Sequence, residues 1–432
     1  MKIEFVNHAS LIVDTNQSRI LCDPWLSGRA FNDGWSLLSP TPSIIWSNIT
    51  HIWLSHEHPD HFHPPSLLSI PQGERSRIQI LYQATRDRKV INWCRAQGFR
   101  VQELPEHQPV RLGHDLTVLN GKFPTGDSWL LIDDGTTRFL NMNDCDTKTM
   151  EIARSTAART GRVDVLATQF SYAAWVGDTR DERVKAARRK LEQVYLQAQC
   201  FRPRYLIPFA SFAVFSHPES FVQNDGANRI HEIFPELEQR LPSPIVLLYP
   251  GDRWTVGGEW DNQPAIKKYA DDYTRFFSQD GRTLKSASDQ KTVDLAVLEK
   301  KATNYNQRLT KLNPLLRFFP IEPTQVWLLD HRRAVQFDLK HGLTRTNSTK
   351  EQCDIAMGSD SMAFWFDHSW GGTTVYISGR MSAHNKQRYR RAYRYFYISN
   401  ANNRGESWPW FDLKRRVWRR IQKFRARAGA IV

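Results

Sequence analysis

The first half of the chain is a series of short apolar runs set between polar and turn residues. Residues 2–6, 10–14 and 19–22 read as paired strands, with the turn signal Asp14-Thr-Asn-Gln17 between the last two. A short apolar run at 52–54 ends at Ser55. Residues 78–82, 115–120, 129–132, 137–141, 163–167, 205–207 and 245–249 read as further strands. Residues 86–97 carry a helical pattern closed by Gly98. A longer helix is predicted between 163–167 and 205–207. There Val184, Ala187, Leu191, Val194, Tyr195 and Ala198 recur at three- and four-residue spacing, and Pro203 lies just beyond the end. Asp181 and Glu182 stand at its start, where the helix dipole favours acids. Strands alternating with helices predict α/β layering.

The pattern changes beyond residue 255. Residues 256–320 are polar and mostly helical, which suits a linker or a cover. A small α+β module at 321–382 follows. It has a hairpin at 326–329 and 334–339, a short helix at 360–366 capped by Ser359 or Asp360, and a strand at 373–378 fed by the Gly371-Gly372 turn. The module resembles sterol-carrier-type lipid-binding domains; the plainer reading is a structural cover. Residues 383–432 form a basic, aromatic tail. The domains are thus read as 1–255, 256–320, 321–382 and 383–432.

Composition narrows the class. With 40% hydrophobic and 12% aromatic residues the chain has the means to bury a core, which excludes a disordered protein. No apolar run approaches the roughly 18 residues of a membrane span, and the start of the chain does not read as a signal peptide. Five scattered cysteines without a CxxC pair suit a reducing compartment, so the expected location is the cytoplasm.

The net charge of +14 belongs mostly to the tail, because residues 381–432 hold 14 bases against 2 acids. The body is close to neutral, which removes most of the support for nucleic acid as a partner. Residues 386–397 interleave Arg with Tyr and Phe. Leu413, Val417, Ile421, Phe424 and Ala428 recur at helical spacing among Lys and Arg. A basic amphipathic helix of this kind either docks its apolar stripe on the body and leaves the charges solvated, or meets an anionic membrane surface, which would make the protein peripheral to the membrane.

The strongest chemical signal is His56-Glu57-His58-Pro59-Asp60-His61, directly after the 52–54 strand. Imidazole and carboxylate are ligands for zinc, iron and manganese. A strand end gives the loop a rigid base, from which His56 and His58 can converge on one metal and Asp60 and His61 can reach a second. Trp25, Trp35, Tyr172 and Trp175 are candidates for lining a pocket or for core packing.

With Asn7-His8-Ala9-Ser10 and Asp23-Pro24-Trp25, this HxHxDH loop resembles the metallo-β-lactamase fold superfamily. The likeness covers residues 1 to about 255. It implies a four-layer αββα sandwich with one or two divalent metal ions at the strand ends. Three segments resemble the metal-binding portion of the CMP-N-acetylneuraminic acid hydroxylase family. They are the stretch from Asp23 to Trp35, Asn141-Met-Asn-Asp144-Cys145, and the stretch from Pro208 to Pro218.

The resemblance implies His56 and His58 at one metal, Asp60 and His61 at the other, Asp144 as the bridging carboxylate and His217 as the last histidine. It places His8 beside the metals, as a support or a substrate contact, and gives Asp60 a water to orient. Two departures stand out. Where the superfamily has a further histidine, this chain has Lys122-Phe123-Pro124, and Phe123 cannot ligate; Asp127 is a nearby substitute. The CxH and CxxH pairs of the hydroxylases' Rieske domain do not occur, so an oxygenase here would draw electrons from a separate protein.

The ligand set accepts zinc or iron alike, and the resemblance to the hydroxylases favours an iron-dependent oxygenase acting on a small anionic substrate, such as a nucleotide sugar. The alternative is a hydrolase, a phosphodiesterase or lactonase with a metal-bound hydroxide, in which zinc serves equally well. A third reading is a non-catalytic binding protein acting through its tail.

Overall fold

The computed structural model describes residues 1–113, 116–123, 125–278, 291–319, 321–383, 386–410 and 412–413. Two compact units divide the chain, Met1–Leu284 and Lys285–Val432.

In the first unit the chain runs through β1 (Lys2–Asn7), β2 (Ser10–Asp14), β3 (Arg19–Cys22), β4 (Arg29–Ala30), β5 (Trp35–Leu37) and β6 (His51–Leu54). It continues through α1 (Pro64–Leu68), α2 (Gln72–Arg75), β7 (Gln79–Gln83), α3 (Lys89–Ala96) and β8 (Arg100–Leu104). Next come β9 (Pro109–Arg111), β10 (Thr117–Lys122), β11 (Ser128–Asp133), β12 (Arg138–Asn141), α4 (Met150–Thr160) and β13 (Val165–Gln169). Last are α5 (Arg180–Phe201), β14 (Tyr205–Phe209), β15 (Ala213–Phe215), α6 (Ile230–Arg240), β16 (Arg253–Thr255) and α7 (Gln263–Ser278).

Two large mixed sheets result, ordered β16-β1-β2-β3-β6-β7-β8 and β14-β13-β12-β11-β10-β9, with a small β15-β5-β4 sheet beside them. The strand period of two explains the layering. On β2, β3, β6 and β7, Leu11, Val13, Ile20, Cys22, Trp53 and Leu81 face a core shared with Val118, Leu130, Ile132, Phe139 and Leu166 of the second sheet. The alternate residues Ile12, Leu21, Ile52, Leu54, Ile80 and Tyr82 face outward, where Leu67 of α1 and Val90, Ile91 and Cys94 of α3 cover them. On the other sheet α5 contributes Leu191, Val194, Ala198 and Phe201. The expected αββα sandwich is therefore present. The α5 helix begins with a reciprocal capping box between Thr179 and Glu182, and ends at Arg202 in the left-handed region, just before Pro203.

Three sequence expectations in this unit change. The 86–97 helix starts at Lys89, because Arg88 sits at φ +52° and cannot be helical. Residues 245–249 make one parallel bridge, Leu206 to Ile245, rather than a strand. The Leu247 amide donates to the Asn262 side chain instead of to a neighbouring strand. The helical stretch after 255 is split between the units. Ala265, Tyr269, Tyr273 and Phe276 of α7 belong to the first unit's core.

The second unit contains α8 (Leu295–Leu312), β17 (Thr324–Leu328), β18 (Arg333–Asp338), β19 (Gly342–Thr346), β20 (Ile355–Met357), α9 (Ser359–Asp367), α10 (Gly371–Ile377) and α11 (Lys386–Asn403). Its sheet order is β19-β18-β17-β20. The expected hairpin is β17–β18. The expected strand at 373–378 is instead the helix α10, although Thr373, Thr374 and Val375 favour strands. Close packing overrides that preference. A Cβ on Gly371 would lie 2.2 Å from the Phe364 carbonyl oxygen, and one on Gly372 2.2 Å from the Phe396 ring. The two glycines are there for close approach, not for a turn. The α9 amides are capped from outside the helix: the Ser359 amide donates to Asp330.

The 386–397 stretch falls on α11, where Ala392, Tyr395, Phe396 and Ile398 are buried and Arg388, Arg390, Arg391, Tyr393 and Arg394 are exposed. Of the expected tail helix, Leu413 is described, and Val417, Ile421, Phe424 and Ala428 lie outside the described residues. Asp115 of the 115–120 strand and Pro124 also lie outside them. Among the described residues no helix is long and apolar enough to cross a membrane. All five cysteines are free, and four are buried.

Candidate metal centre

Strands β1, β3 and β6 point the same way, since β1–β2 and β2–β3 are antiparallel and β3–β6 is parallel. The residues that follow them, His8, Asp23 and the 56–61 loop, therefore meet at one sheet end. Asp144 follows β12 in the other sheet, and Gln169 ends β13 beside it. The strands are rigid and the loops carry the chemistry.

Two sets of three ligating side chains form there, each with its donor atoms within 4.8 Å of one another: His8, Asp60 and His61, and His56, His58 and Asp144. In the first, Asp60 Oδ2 lies 3.3 Å from both His8 Nε2 and His61 Nε2. In the second, the ring nitrogens of His56 and His58 approach to 2.8 Å. His61 Nε2 also lies 3.3 Å from Asp144 Oδ2, so the sets adjoin. His8 Nδ1, Asp60 Oδ1 and His61 Nε2 are buried without a hydrogen-bond partner, a costly arrangement that a cation would relieve.

The residues around the sets fix their orientation. Asp23 Oδ2 accepts from His61 Nδ1 at 2.8 Å, which turns Nε2 toward Asp60 and Asp144. Asp23 is itself held by the Ser55 amide at 2.7 Å and the Ser55 hydroxyl at 2.8 Å. Ser55 Oγ also lies 2.9 Å from His56 Nδ1. Asp144 Oδ1 accepts from Gln169 Nε2 at 2.8 Å, and Lys190 Nζ donates to Gln169 Oε1 at 2.6 Å. His8, Asp23 and Asn143 all have positive φ, at 40°, 43° and 33°. Such strain gathers where a side chain must be aimed.

Burial alone would leave His61 neutral, but Asp60, Asp144 and Asp23 together outweigh it and raise its pKa well above the usual value. Burial would likewise raise Asp144, yet His61 brings it down to about 2. Asp60 is also lowered, against burial, by His61 and His8. His56 is lowered by burial and by its neighbours His61 and His58. Among the described residues no Lys or Arg pairs with Asp60, Asp127 or Asp144; their ionic partners are histidines. The donor set, four imidazoles and two carboxylates, suits a divalent cation.

Six of the seven residues expected from sequence are thus drawn together. His217 is buried, stands outside both sets, and accepts from the Glu219 amide at 3.3 Å through Nδ1. His8 completes the set with Asp60 and His61.

Phe123 packs against the hydrophobic core. From the same β10–β11 loop Asp127 reaches in, its Oδ1 3.6 Å from His56 Nε2, and burial raises its pKa. Trp25 is fully buried, edge-on to His8 at 5.6 Å between ring centres. Trp35 and Tyr172 line a cleft that reaches His8, and Trp175 is buried with its Nε1 donating to Asp178. Sequence reasoning missed Gln169 and Lys190 altogether. It saw Asp23 only as part of a motif, and a lone Asp or Gln at a strand end carries no spacing signal.

Residues 2–180 match the model of the β-lactamase superfamily domain. Cytidine monophosphate-N-acetylneuraminic acid hydroxylase from Pongo pygmaeus is 27% identical over 233 residues, 50% of this chain and 40% of that protein. The protein of the same name from Xenopus laevis is 24% identical over 312 residues, 64% of this chain and 52% of that one. The match thus spans about half, or less, of these relatives' own length. The solved structure of CmlA, a diiron β-hydroxylase from Streptomyces venezuelae, covers 59% of this chain and 53% of its own at 18% identity, with a TM-score of 0.41. The chain thus has a metallo-β-lactamase fold, its residues 2–180 match the β-lactamase superfamily domain, and about half of it is similar in sequence to the CMP-N-acetylneuraminic acid hydroxylases.

Proposed function

We propose that the chain is an iron-dependent oxygenase acting on a small organic anion, with a nucleotide sugar as the model substrate. One observation carries the reading: the six ligating side chains divide into two sets, each of two histidines and one carboxylate. That composition, with positions left open, is the one non-haem iron oxygenases use. The likeness to proteins named as hydroxylases supports it.

His8, Asp60 and His61 would hold one ion, and His56, His58 and Asp144 the other. Bound iron supplies oxygen activation. The chain's own residues do the rest. Asp23 fixes the His61 tautomer by accepting its Nδ1 proton. Gln169 holds one oxygen of Asp144 and leaves the other facing His61. Asp127 stands beside His56 in place of the superfamily's further histidine and adds a negative charge there. A separate protein is proposed to deliver the electrons.

Elemental analysis of anaerobically purified protein tests this reading. About two irons per chain, lost in His61→Ala and in Asp144→Ala, are expected, together with oxygen consumption in the presence of ascorbate. Full iron content in both variants would overturn the ligand assignment. Zinc in place of iron, with phosphodiester cleavage that needs no oxygen, would replace the oxygenase by the hydrolase.

A further inference from the structure

A partly open cleft in the first unit reaches His8. Trp35, Tyr172, Phe215, Tyr273 and Phe277 give it aromatic walls on several sides. Trp35 and Phe215 meet edge to face at 5.5 Å, and Tyr273 and Phe277 of α7 lie nearly parallel, 9° apart with centres 6.4 Å apart. Flat walls of this kind favour a flat apolar body in offset contact.

The polar lining is one-sided. No Asp or Glu lines the cleft, and Arg229 is its one Lys or Arg among the described residues. The Arg229 guanidinium lies 4.1 Å over the Phe277 ring. Among the described residues it gives one hydrogen bond, to Glu232 at 3.3 Å, and the rest of its five N–H donors remain.

Two hydroxyls continue this edge. Ser211 Oγ accepts from the Phe170 and Ser171 amides at 3.1 and 3.0 Å, and Ser171 Oγ accepts from the Asn228 amide at 3.0 Å. Ser211 Oγ accepts twice and Ser171 Oγ once, and each hydroxyl has a proton to give. These contacts tie Ser211, Ser171 and Asn228 into a row that continues along the chain to Arg229, so the donors are contiguous. The Asn224 and Asn228 amide groups, by contrast, are spent on the backbone carbonyls of Phe215, Phe221, Phe170 and Ala187.

We infer that this cleft binds a small carboxylate or phosphate ester with a planar apolar body, its charged group held by Arg229, Ser171 and Ser211 and its body directed toward His8. The inference deepens the oxygenase reading and rests on it for the meaning of His8. The binding edge itself needs no metal.

The probe is phenyl phosphate, titrated calorimetrically into the full chain, both iron-loaded and stripped with EDTA. Inorganic phosphate and benzyl alcohol report the charged group and the ring separately. Phenyl phosphate is expected to bind the stripped chain, and Arg229→Ala to weaken it at least about tenfold, as for loss of a charge-assisted contact. Benzyl alcohol binding should not change in that variant. Ser211→Ala is expected to give a smaller loss in the same direction, and Arg229→Lys a partial recovery. Circular dichroism checks that each variant is folded.

Equal phenyl phosphate affinity in native, Arg229→Ala and Ser211→Ala protein would overturn the inference. So would binding that appears only with iron present and ignores Arg229, or no binding up to about 10 mM. An Arg229-dependent signal in a chain that never takes up iron would uphold the cleft and sink the oxygenase reading.

Discussion

At the scale of single residues the site depends on side chains that touch no substrate. Asp23 is the plainest case. It is fully buried, accepts from His61 Nδ1, and is held by two donors from Ser55. Asp23→Asn keeps the shape and removes the charge that fixes the ring. Second-sphere partners of this type are worth about 10–100-fold in metal affinity. That loss is expected in a chelator competition, with the unfolding temperature little changed. The HxHxDH loop was legible from sequence because four donors crowd into six residues. Asp127 and His8 were harder to weigh. What makes Asp127 a neighbour of His56 is the closure of the β10–β11 loop, and a loop's closure is not written in its periodicity.

At the scale of elements, period-two alternation located β1, β2, β3, β6 and β7 well, because each has one face toward each core. It misplaced α10, whose β-branched run reads as a strand and whose packing makes it a helix. Gly371→Ala tests that account. The added Cβ has backbone within 2.2–2.9 Å on three atoms, so the α9–α10 contact must shift. A cost of about 1–3 kcal/mol is expected in denaturant unfolding, the usual scale for overpacking.

Strand β6 offers a second test. Burial, with Arg100 nearby, lowers the His51 pKa to about 4. In the unfolded chain it titrates near 6.5. Between those values the unfolded state binds the extra proton. The contribution of a neutral His51 is therefore complete above pH 6.5 and is lost as pH falls toward 4. His51→Gln should flatten the fall in melting temperature between pH 7 and pH 5, and an unchanged slope would refute the assignment.

At the scale of the molecule the chain is two units with charge concentrated at one end. The fold of the first unit was readable because its motifs sit at strand ends in a fixed order. The second unit carries no such motif; its β17–β18 hairpin and α9 were readable from sequence, while α10 emerged only from packing. The excess of 14 bases over 2 acids in residues 381–432 supports the proposal of an anionic surface as partner. Deleting residues 414–432 is expected to abolish sedimentation with phosphatidylserine vesicles at low salt and to leave the iron content unchanged. Vesicle binding that survives the deletion would remove the tail from that role.

His8 belongs at once to the set with Asp60 and His61 and to the wall of the cleft. One imidazole cannot answer to two occupants independently. Whatever the cleft takes up displaces the free energy with which the adjoining set holds its ion. By thermodynamic reciprocity the ion alters affinity in the cleft by the same factor. If both proposed occupants bind, any coupling between them runs through this single ring and has the same size whichever arrives first.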